Sequence, residues 1–324
     1  MRFTPILAAA AMVASLVAAP VLAQDMHSYT GENGTFDIPV EPQRIVALND
    51  QILTLPLWEL GAVVVGSTGR VDGEGNIYMR GGMDTFGIDF DNTDIAFVGT
   101  GDAIDVEAVA ALEPDLIIGL PYTDAAIIEQ LQAVAPAIVI DEDKLGFEGT
   151  LRTLAELSGQ SESFAVRFDR YLANVERTRQ FIGNPEEISA ATTFIFPAGE
   201  TLSAYRTGMG AFTRVFDDIG FQQIDLVADI AESRVSLSPE RIEELDADFI
   251  FGFYKHQAAA TPEAIFAAYE KFAPGFCQAL SACRNNQLVL LPGITFGGTM
   301  KSLELALELV ESHVAGRSFT PFEE

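Results

Sequence analysis

The sequence predicts an α/β protein of two similar lobes, each built around a central parallel sheet, joined by one long backbone helix. The first observation is an apolar stripe at helical spacing through Ser161–Ile182, followed by a Gly-Asn-Pro stop. The second is the alternation of strand-type and helix-type segments on both sides of this helix. The third is an internal repeat. Together they predict lobes at 24–160 and 184–324, with the inter-lobe helix at 161–183.

The helix prediction depends on residues that recur on one face. These are Phe164, Phe168, Tyr171, Leu172, Val175 and Ile182. Glu162 lies near the start and Arg177 and Arg179 near the end, which suits the helix dipole. At about 1.5 Å of rise per residue such a helix is roughly 30 Å long, the width of a small domain. This length suits a strut between two lobes.

The internal repeat has a constant offset of 133 residues (240 minus 107) between segments 106–118 and 239–251. The matching pairs are Glu107 and Glu240, Val109 and Ile242, Leu112 and Leu245, Asp115 and Asp248, and Ile117 and Ile250. Each segment predicts a short helix, a tight turn and a buried strand. One offset held through five pairs indicates two lobes of similar construction.

The first 23 residues have the pattern of a secretory signal peptide. Arg2 precedes an apolar, Ala-rich run that ends in Val-Leu-Ala, and we expect cleavage after Ala23. A membrane anchor is the alternative, but the run is short for a span. Because no Cys lies at the cleavage point, we expect no lipid anchor. The mature chain of 301 residues (324 minus 23) is therefore predicted to be periplasmic.

The predicted N-terminal lobe begins with a hairpin at 29–39 and follows the βαβ rhythm of a parallel sheet. Predicted strands lie at 41–48, 62–66, 115–118 and 137–140, and predicted helices at 52–60 and 124–134. Between them, 67–99 is rich in Gly and Asp and is expected to be a long functional or mobile loop.

The predicted C-terminal lobe repeats the rhythm after the backbone helix. Predicted strands lie at 192–196, 202–205, 249–251 and 287–291. Residues 207–210 lead into a predicted helix that runs through Ile219, and a final helix is predicted at 299–314. The segment 227–235 is expected to be irregular. Loops at 252–256 and 292–298 follow strands, and open α/β sheets bind ligands at that edge.

Composition excludes one large class of partners. Hydrophobic residues make up 48% and charged residues 20%, which supports a soluble protein with two good cores. The formal net charge is −28, or −29 without Arg2, so nucleic acid phosphates would be repelled. The two cysteines, Cys277 and Cys283, are close in sequence. In an exported protein a local disulfide is favoured over a metal pair.

Several motifs in a fixed order resemble a known family. They are Pro-Gln-Arg-Ile-Val-Ala-Leu at 42–48, the segment 107–118, the middle helix, Leu-Ser-Pro-Glu at 237–240, and Phe-Gly-Gly at 296–298. In this order, behind a signal peptide, they resemble the periplasmic substrate-binding proteins of iron-siderophore and vitamin B12 ABC importers, the class III group with a helical backbone. The resemblance implies Rossmann-like lobes, limited closure and a chelate or macrocycle held between the lobes. We expect the cargo to be an anionic ferric siderophore. Haem or a corrinoid is the alternative cargo.

Glu107 and Glu240 can be interpreted in two ways. Each is an acid in the first turn of a helix, behind Asp105 or Ser238 as the cap, where the dipole favours a negative charge. The resemblance implies a further role, since these positions match glutamates that dock on arginines of the permease dimer. One charge on each lobe suits a pseudo-symmetric partner.

Ten residues are predicted to line the ligand cleft. They are Arg206, Tyr254, Lys255, Phe296, Tyr122, Arg80, Arg70, Arg234, Asn49 and Asp50. The resemblance implies roles for Arg206, which we place with Lys255 at the binding edge, and for Phe296. A solvated surface ion pair is the alternative for any single arginine. His256 would bind metal only if the cargo were haem, and we expect no cofactor and no bare-metal site.

An exported enzyme is the rival from another class. The turn after the first strand holds Asn-Asp-Gln in place of a dinucleotide-binding Gly-x-Gly-x-x-Gly, and no Gly-x-Ser-x-Gly elbow occurs. The sequence also lacks an apparent Cys and His pair for nucleophilic catalysis. We therefore expect a binding protein without chemistry of its own. A surface adhesin, the third class, predicts no small-ligand pocket.

Overall fold

The computed structural model describes residues 25–255, 260–316 and 318–322. The predicted signal peptide, its cleavage site after Ala23 and the possible haem ligand His256 lie outside these residues. The described chain forms two sheets, one before and one after a long helix, which confirms the predicted α/β fold of two lobes. Among the described residues, no helix combines the length and the apolar character needed to cross a membrane.

The N-terminal lobe contains a two-stranded hairpin and a seven-stranded sheet. The strands are β1 (Met26–Gly31), β2 (Gly34–Pro39), β3 (Ile45–Ala47), β4 (Val64–Val71), β5 (Ile77–Tyr78), β6 (Ala96–Thr100), β7 (Ala103–Ile104), β8 (Leu116–Gly119) and β9 (Ala137–Val139). The helices are α1 (Leu55–Leu60), α2 (Gly82–Phe86), α3 (Val106–Ala111), α4 (Ala125–Gln132) and α5 (Glu142–Leu157). The sheet order is β7-β6-β4-β3-β8-β9, with β5 paired to β4. Strands β6, β4, β3, β8 and β9 are parallel.

Two predictions for this lobe are corrected. The segment 67–99 is not one long loop, because β4 continues to Val71 and then pairs with β5 as a hairpin. The Asp72 carboxylate accepts the backbone N–H groups of Glu74 and Asn76, each at 2.8 Å, and so closes the hairpin turn. The predicted helix at 52–60 is a π-helix, Asp50–Thr54, followed directly by α1.

The hairpin of β1 and β2 covers the outer edge of β9. The Asn33 side chain donates to the Ala137 carbonyl at 2.8 Å and accepts from the Val139 N–H at 2.9 Å. Its amide therefore mimics the backbone of a further strand. Gly31 must be a glycine for this approach, since a Cβ there would lie 2.8 Å from the Val139 carbonyl oxygen.

The backbone helix α6 spans Ser161–Ile182, as predicted. Phe164, Phe168, Tyr171 and Val175 are buried against helices of both lobes. Leu172 was expected on the same face but is 41% exposed, because it lies about 100° around the helix from Tyr171. The helix therefore packs through a narrower stripe than the sequence indicated.

The C-terminal lobe contains a six-stranded sheet. The strands are β10 (Ser189–Ile195), β11 (Leu202–Tyr205), β12 (Gln222–Gln223), β13 (Arg234–Leu237), β14 (Phe249–Tyr254) and β15 (Leu288–Pro292). The helices are α7 (Ala211–Ile219), α8 (Asp225–Ala228), α9 (Pro262–Phe272), α10 (Phe276–Ala279), α11 (Ser281–Arg284) and α12 (Met300–Val314). Short 3₁₀ helices lie at Pro185–Glu187, Pro239–Leu245 and Gly293–Phe296. The segment 227–235, expected to be irregular, contains the end of α8 and the start of β13.

The sheet order of this lobe is β13-β11-β10-β14-β15, with β12 paired to β10. Strands β10, β14 and β15 are parallel, whereas β11 is antiparallel to β10. Cys277 and Cys283 form a disulfide between α10 and α11, with their Cα atoms 4.9 Å apart. Both sulfurs belong to residues that pack against the outer core of this lobe.

The repeat corresponds to one strand pairing that is built twice. Asp115 precedes β8 and accepts the backbone N–H groups of Gln43 and Arg44, at 2.7 and 2.9 Å. Asp248 precedes β14 and accepts the N–H and hydroxyl of Ser189, at 2.7 and 2.9 Å. In each lobe the aspartate fixes the start of the neighbouring parallel strand, β3 or β10.

Candidate ligand-binding cleft

The carboxyl ends of the parallel strands in the two lobes face each other across a cavity of about 330 Å³. The N-terminal wall includes Gln51, Tyr78, Arg80 and Asp84, and the C-terminal wall includes Lys255, Phe296 and residues 297–299. This position is the one at which open α/β sheets generally bind ligands. The cavity is therefore the candidate functional site.

Arg80 is the main cation of the N-terminal wall and is held by Asp50. The Arg80 guanidinium lies 2.5 Å from the Asp50 carboxylate, which also accepts the Arg80 backbone N–H at 2.7 Å. Asp50 is only 1% exposed because it opens the π-helix after β3. The Arg80 side chain keeps 31% exposure, so it can still reach a ligand.

Tyr122 follows β8 and extends this wall. Asn49 donates from its side-chain amide to the Tyr122 hydroxyl at 3.1 Å, while its Oδ1 caps the π-helix through Gln51 and Ile52. Partial burial and the nearby Glu142 carboxylate raise the pKa of Tyr122 to about 12. The phenol is therefore neutral at physiological pH. It lines an adjoining open recess of about 490 Å³ together with Pro121 and residues 141–144.

The C-terminal wall is aromatic. Phe296 packs edge to face on Phe253, with ring centroids 5.1 Å apart, and lies 6.4 Å from Phe194. Phe196 packs on Phe194 at 4.9 Å and is 60% exposed. Alternate residues at the end of β10 and at the end of β14 thus form one apolar surface. Such a surface suits the organic part of a ligand.

Lys255 is the cation of this aromatic wall. Its amino group lies 4.9 Å from the Phe296 ring centroid and 5.6 Å from that of Phe194. Burial lowers the pKa of Lys255, and the Arg80 charge across the cavity lowers it further, against the opposing effect of Asp84. Cations from the two lobes therefore face each other across the cavity.

The loop after β15 packs directly against the stem of Lys255. A Cβ on Gly293 would lie 2.9 Å from Lys255 Cγ and 3.2 Å from the Tyr254 carbonyl oxygen. Only glycine lets the loop come this close without displacing the lysine. The close approach brings Phe296 beneath the amino group.

The structure brings three of the ten predicted ligand residues into the cavity lining, namely Arg80, Lys255 and Phe296. Tyr122 lines the adjoining recess. Asn49 and Asp50 were expected to face the ligand, and this is corrected, since both side chains are buried and support Arg80 and Tyr122. Asn49 and Asp50 lie behind the cavity surface and hold Tyr122 and Arg80 in place.

The other four predicted residues lie outside the cavity lining. Arg206 was placed at the same edge as Lys255, but β11 is antiparallel and Tyr205 pairs with Thr192, so the chain runs away from that edge. Arg234 donates to the Tyr205 hydroxyl at 2.9 Å. Tyr254 packs against the outer core of its lobe. Arg70 is half-buried on β4 near Tyr122, whose pKa its charge lowers.

Several cleft residues were missed in the sequence. Gln51, Tyr78 and Asp84 line the N-terminal wall. Phe194 and Phe196 are not part of the cavity lining, but they extend the aromatic surface that begins at Phe296. The alternation of Phe194 and Phe196 at the end of a strand was a usable signal. Tyr78 and Asp84 lay in the segment read as a loop, where no periodic pattern indicated which side chains point inward.

Glu107 and Glu240 are both exposed at the starts of helical segments that follow the carboxyl edges of the two sheets. Asp105 caps the first segment by accepting the Ala108 N–H at 2.9 Å. Ser238 was expected to be a matching cap but makes no side-chain cap bond. Instead the Glu240 backbone N–H and the Ser238 hydroxyl lower the pKa of the Glu240 carboxyl. Each lobe therefore presents one exposed glutamate at the start of a helical segment.

No group of three or more His, Cys, Asp and Glu side chains suited to a metal ion occurs within residues 25–255, 260–316 and 318–322. In that part of the chain the cleft offers cations, aromatic rings, hydroxyl or amide groups and the Asp84 carboxylate. These groups can bind an anion or an already chelated metal through its organic ligand.

Comparison with known proteins places this geometry in context. The model of a family described as periplasmic binding protein matches residues 83–294, which is 212 of the 324 residues (294 minus 83 plus 1). The iron(3+)-hydroxamate-binding protein FhuD of Bacillus subtilis is 28% identical over 69% of this chain and 68% of that protein. The ferric enterobactin-binding periplasmic protein FepB of Escherichia coli O6:H1 is 24% identical over 72% and 74%.

Solved structures share the fold at lower sequence identity. Staphylococcus aureus SirA complexed with staphyloferrin B has a TM-score of 0.71 at 20% identity and covers 89% of this chain and 98% of its own. Staphylococcus aureus FhuD2 with bound ferrioxamine B has a TM-score of 0.61 at 18% identity and covers 85% and 99%. These likenesses support the arrangement of two lobes and a long helix.

Proposed function

The chain belongs to the periplasmic binding protein family, and from this premise we propose that it captures an anionic ferric siderophore between its lobes. It then delivers the chelate to the permease dimer of an ABC importer in the inner membrane. Binding needs no cofactor and no chemistry by the protein. The chain acts in the periplasm after removal of residues 1–23.

The observation that carries this proposal is the pair of opposed cations, Arg80 and Lys255, beside an aromatic wall. In the empty cavity their charges repel each other, and burial adds to the cost at Lys255. A ligand with negative charge at its surface relieves both effects and can bridge the lobes. Phe194, Phe196 and Phe296 contact the apolar backbone of the same ligand.

The names of the relatives support the ligand class. FhuD of Bacillus subtilis is described as binding iron(3+)-hydroxamate and FepB as binding ferric enterobactin. Both names describe iron held in an organic chelate. We extend this class to the present chain, and its two lining cations, Arg80 and Lys255, against one lining carboxylate, Asp84, favour the anionic members.

A fluorescence titration tests the proposal. The mature protein is titrated with a ferric catecholate, a ferric hydroxamate, ferric citrate, haem and cobalamin, and quenching of Trp58 and the tyrosines is followed. We expect the anionic ferric chelates to bind most tightly and to lose affinity as salt screens the cations. Tighter binding of haem or cobalamin would reassign the cargo, and indifference to every iron complex and tetrapyrrole would overturn the proposal.

Arg70, Arg206 and Arg234 remain secondary candidates for ligand contact. Among the described residues, the buried Nε of Arg206 has no hydrogen-bond partner, although Arg206 does not line the cavity. Arg70 makes no ion pair within the same ranges. Substituting each by Gln and repeating the titration assigns or removes it.

Delivery is proposed to depend on Glu107 and Glu240, one on each lobe. We expect Glu107→Ala combined with Glu240→Ala to leave ligand affinity unchanged, because neither residue lines the cavity. Uptake of the ferric chelate by cells should fall about tenfold for each lost charge pair, equivalent to roughly 1.4 kcal/mol. Normal uptake by the double variant would defeat the docking role. Glu308→Ala, on the exposed side of α12, is the control.

A further inference from the structure

Glu59 lies at a junction of three elements beneath the cavity. It belongs to α1 of the N-terminal lobe, and its side chain is only 4% exposed. Its carboxylate accepts the backbone N–H groups of Met300 and Lys301 at 2.7 and 2.8 Å and pairs with Arg167 of α6 at 2.9 Å. A carboxylate of one lobe thus caps the first turn of α12 in the other lobe.

Lys301 makes the reverse connection. Its amino group donates to the carbonyl of Thr85 in α2 and lies 5.3 Å from the Phe86 ring centroid. Phe86 in turn packs on Trp58 of α1, at 5.1 Å. A carboxylate of the N-terminal lobe therefore contacts α12, and an amino group of α12 contacts the N-terminal lobe. We call Glu59, Arg167, Lys301 and Thr85 the lobe latch.

The lobe latch lies directly beside residues that line the cavity. Thr85 lines the cavity, as do residues 297–299 just before the capped turn and Ser302 just after it. A movement of one lobe relative to the other that displaces α12 from α1 would pull the Met300 and Lys301 N–H groups away from Glu59. The latch therefore lies where lobe spacing and ligand contact are coupled most directly.

A second ionic network also joins the lobes, but it lies away from the cavity. Glu148 of α5 pairs with Arg214 of α7 at 2.9 Å, and Arg214 pairs with Asp218 at 2.8 Å. The Tyr171 hydroxyl donates to Asp218 at 2.7 Å. None of these four residues lines the cavity. Substitutions in this second network can therefore serve as controls for substitutions in the lobe latch.

We propose that Glu59 is a positioning residue of the cleft, which fixes the separation of the two walls without touching the ligand. Its three donors come from α6 and α12, so the carboxylate is satisfied at one lobe spacing only. Burial raises the pKa of Glu59 even though Arg167 opposes the shift. A buried ion pair need not add stability, because the cost of burying its charges can exceed their attraction.

The experiment compares Glu59→Gln in α1 with Glu308→Gln, an exposed glutamate on α12. Spin labels at Asp102→Cys and Glu232→Cys report the distance between the lobes, and the native cysteines are paired. We expect Glu59→Gln to broaden the distance distribution and to lower ferric siderophore affinity about tenfold. Lys301→Met should act in the same direction, and Glu308→Gln should change neither quantity.

The outcomes are separable. The affinity measurement rests on the proposed function, and a wild-type protein that binds no ferric siderophore would defeat that function while the distances still test the lobe latch. Unchanged distances in Glu59→Gln would overturn the inference, even if the melting temperature fell. A Glu148→Gln variant that alters distance and affinity as much as Glu59→Gln would also overturn it, because the effect would not be specific to the latch.

Discussion

The two walls of the cleft hold their cations in different ways. On the N-terminal wall, Arg80 is fixed by a buried carboxylate, Asp50, through both its side chain and its backbone N–H. On the C-terminal wall, Lys255 lies over Phe296 and Phe194, and within the described ranges its amino group has no carboxylate partner in ion-pair distance. One wall is therefore preorganised, whereas the other leaves its charge to be neutralised by the ligand.

This difference indicates a division of roles. A cation already paired with a carboxylate offers its remaining donors in a fixed direction and adds specificity. A cation without an ion-pair partner, in a partly desolvated place, gains more when an anion arrives. The N-terminal wall should therefore matter most for stability, and the C-terminal wall for affinity. Three substitutions and the pH dependence of binding test this assignment.

The largest effect is expected from Asp50→Asn. It removes the charge that holds Arg80 and should lower the free energy of unfolding by about 3 kcal/mol, since a buried pair loses one partner. Lys255→Gln should change it by less than about 0.5 kcal/mol. Urea denaturation of both variants measures this. Equal losses, or a change under about 1 kcal/mol for Asp50→Asn, would remove the distinction in stability.

Affinity should respond in the opposite way. Lys255→Gln is expected to weaken an anionic ferric siderophore by about 2 kcal/mol, roughly thirtyfold, because a charge-assisted bond is lost. Titration by quenching measures the loss, with Arg177→Gln on the exposed side of α6 as the control. An affinity within twofold of wild type would exclude Lys255 as an anchor.

The aromatic support of Lys255 should contribute less. Phe296→Leu keeps an apolar side chain but removes the ring that lies 4.9 Å from the Lys255 amino group. We expect a loss of affinity of about 1 kcal/mol, from the missing cation–π and stacking interactions. The same substitution in a Lys255→Gln background should cost less if the ring acts through the lysine. Additive losses would assign Phe296 an independent contact with the ligand.

The smallest expected effect is the uptake of protons when the ligand binds. In the empty cavity, burial and Arg80 hold the pKa of Lys255 below its usual 10.5. A bound anion favours the charged form and raises that pKa, so binding takes up protons near the pKa of the empty site. Affinity should then fall as the pH rises through that lower pKa. Calorimetry in two buffers of different ionisation enthalpy measures the uptake.

Lys255→Arg provides the matched control for this pH dependence. An arginine stays protonated throughout the range, so the uptake assigned to Lys255 should disappear while an anion can still bind. Identical proton uptake by both proteins would place the titrating group on the ligand or elsewhere. Lys255 would then not be the group whose protonation is coupled to ligand binding.

Long periodic features were predictable from the sequence. The bounds of α6 follow from an apolar stripe of six turns with a clear stop, and the two lobes follow from the repeat around Asp115 and Asp248. Lys255 was found because it follows a buried strand whose carboxyl end was recognisable, and Phe296 was found through the family resemblance. These signals are local, or they repeat at a fixed interval.

The direction of individual side chains was not predictable in the same way. Asp50 and Arg80 are 30 residues apart, and nothing local indicates that the aspartate turns inward to hold the arginine. Arg206 was misplaced because a short strand carries no mark of its direction, and β11 proved antiparallel. Glu59 was overlooked because its partners lie far away in the chain, and the two in α12 follow it by more than 240 residues.

The contact of Asn33 with β9 has a practical consequence for handling the protein. Without the amide of Asn33 and the hairpin that carries it, β9 would expose a row of unpaired N–H and C=O groups. Chains shortened past Pro39 should therefore associate side by side through that strand, while their cleft keeps its composition. We therefore expect chains that keep β1 and β2 to be monodisperse and chains that lack them to associate.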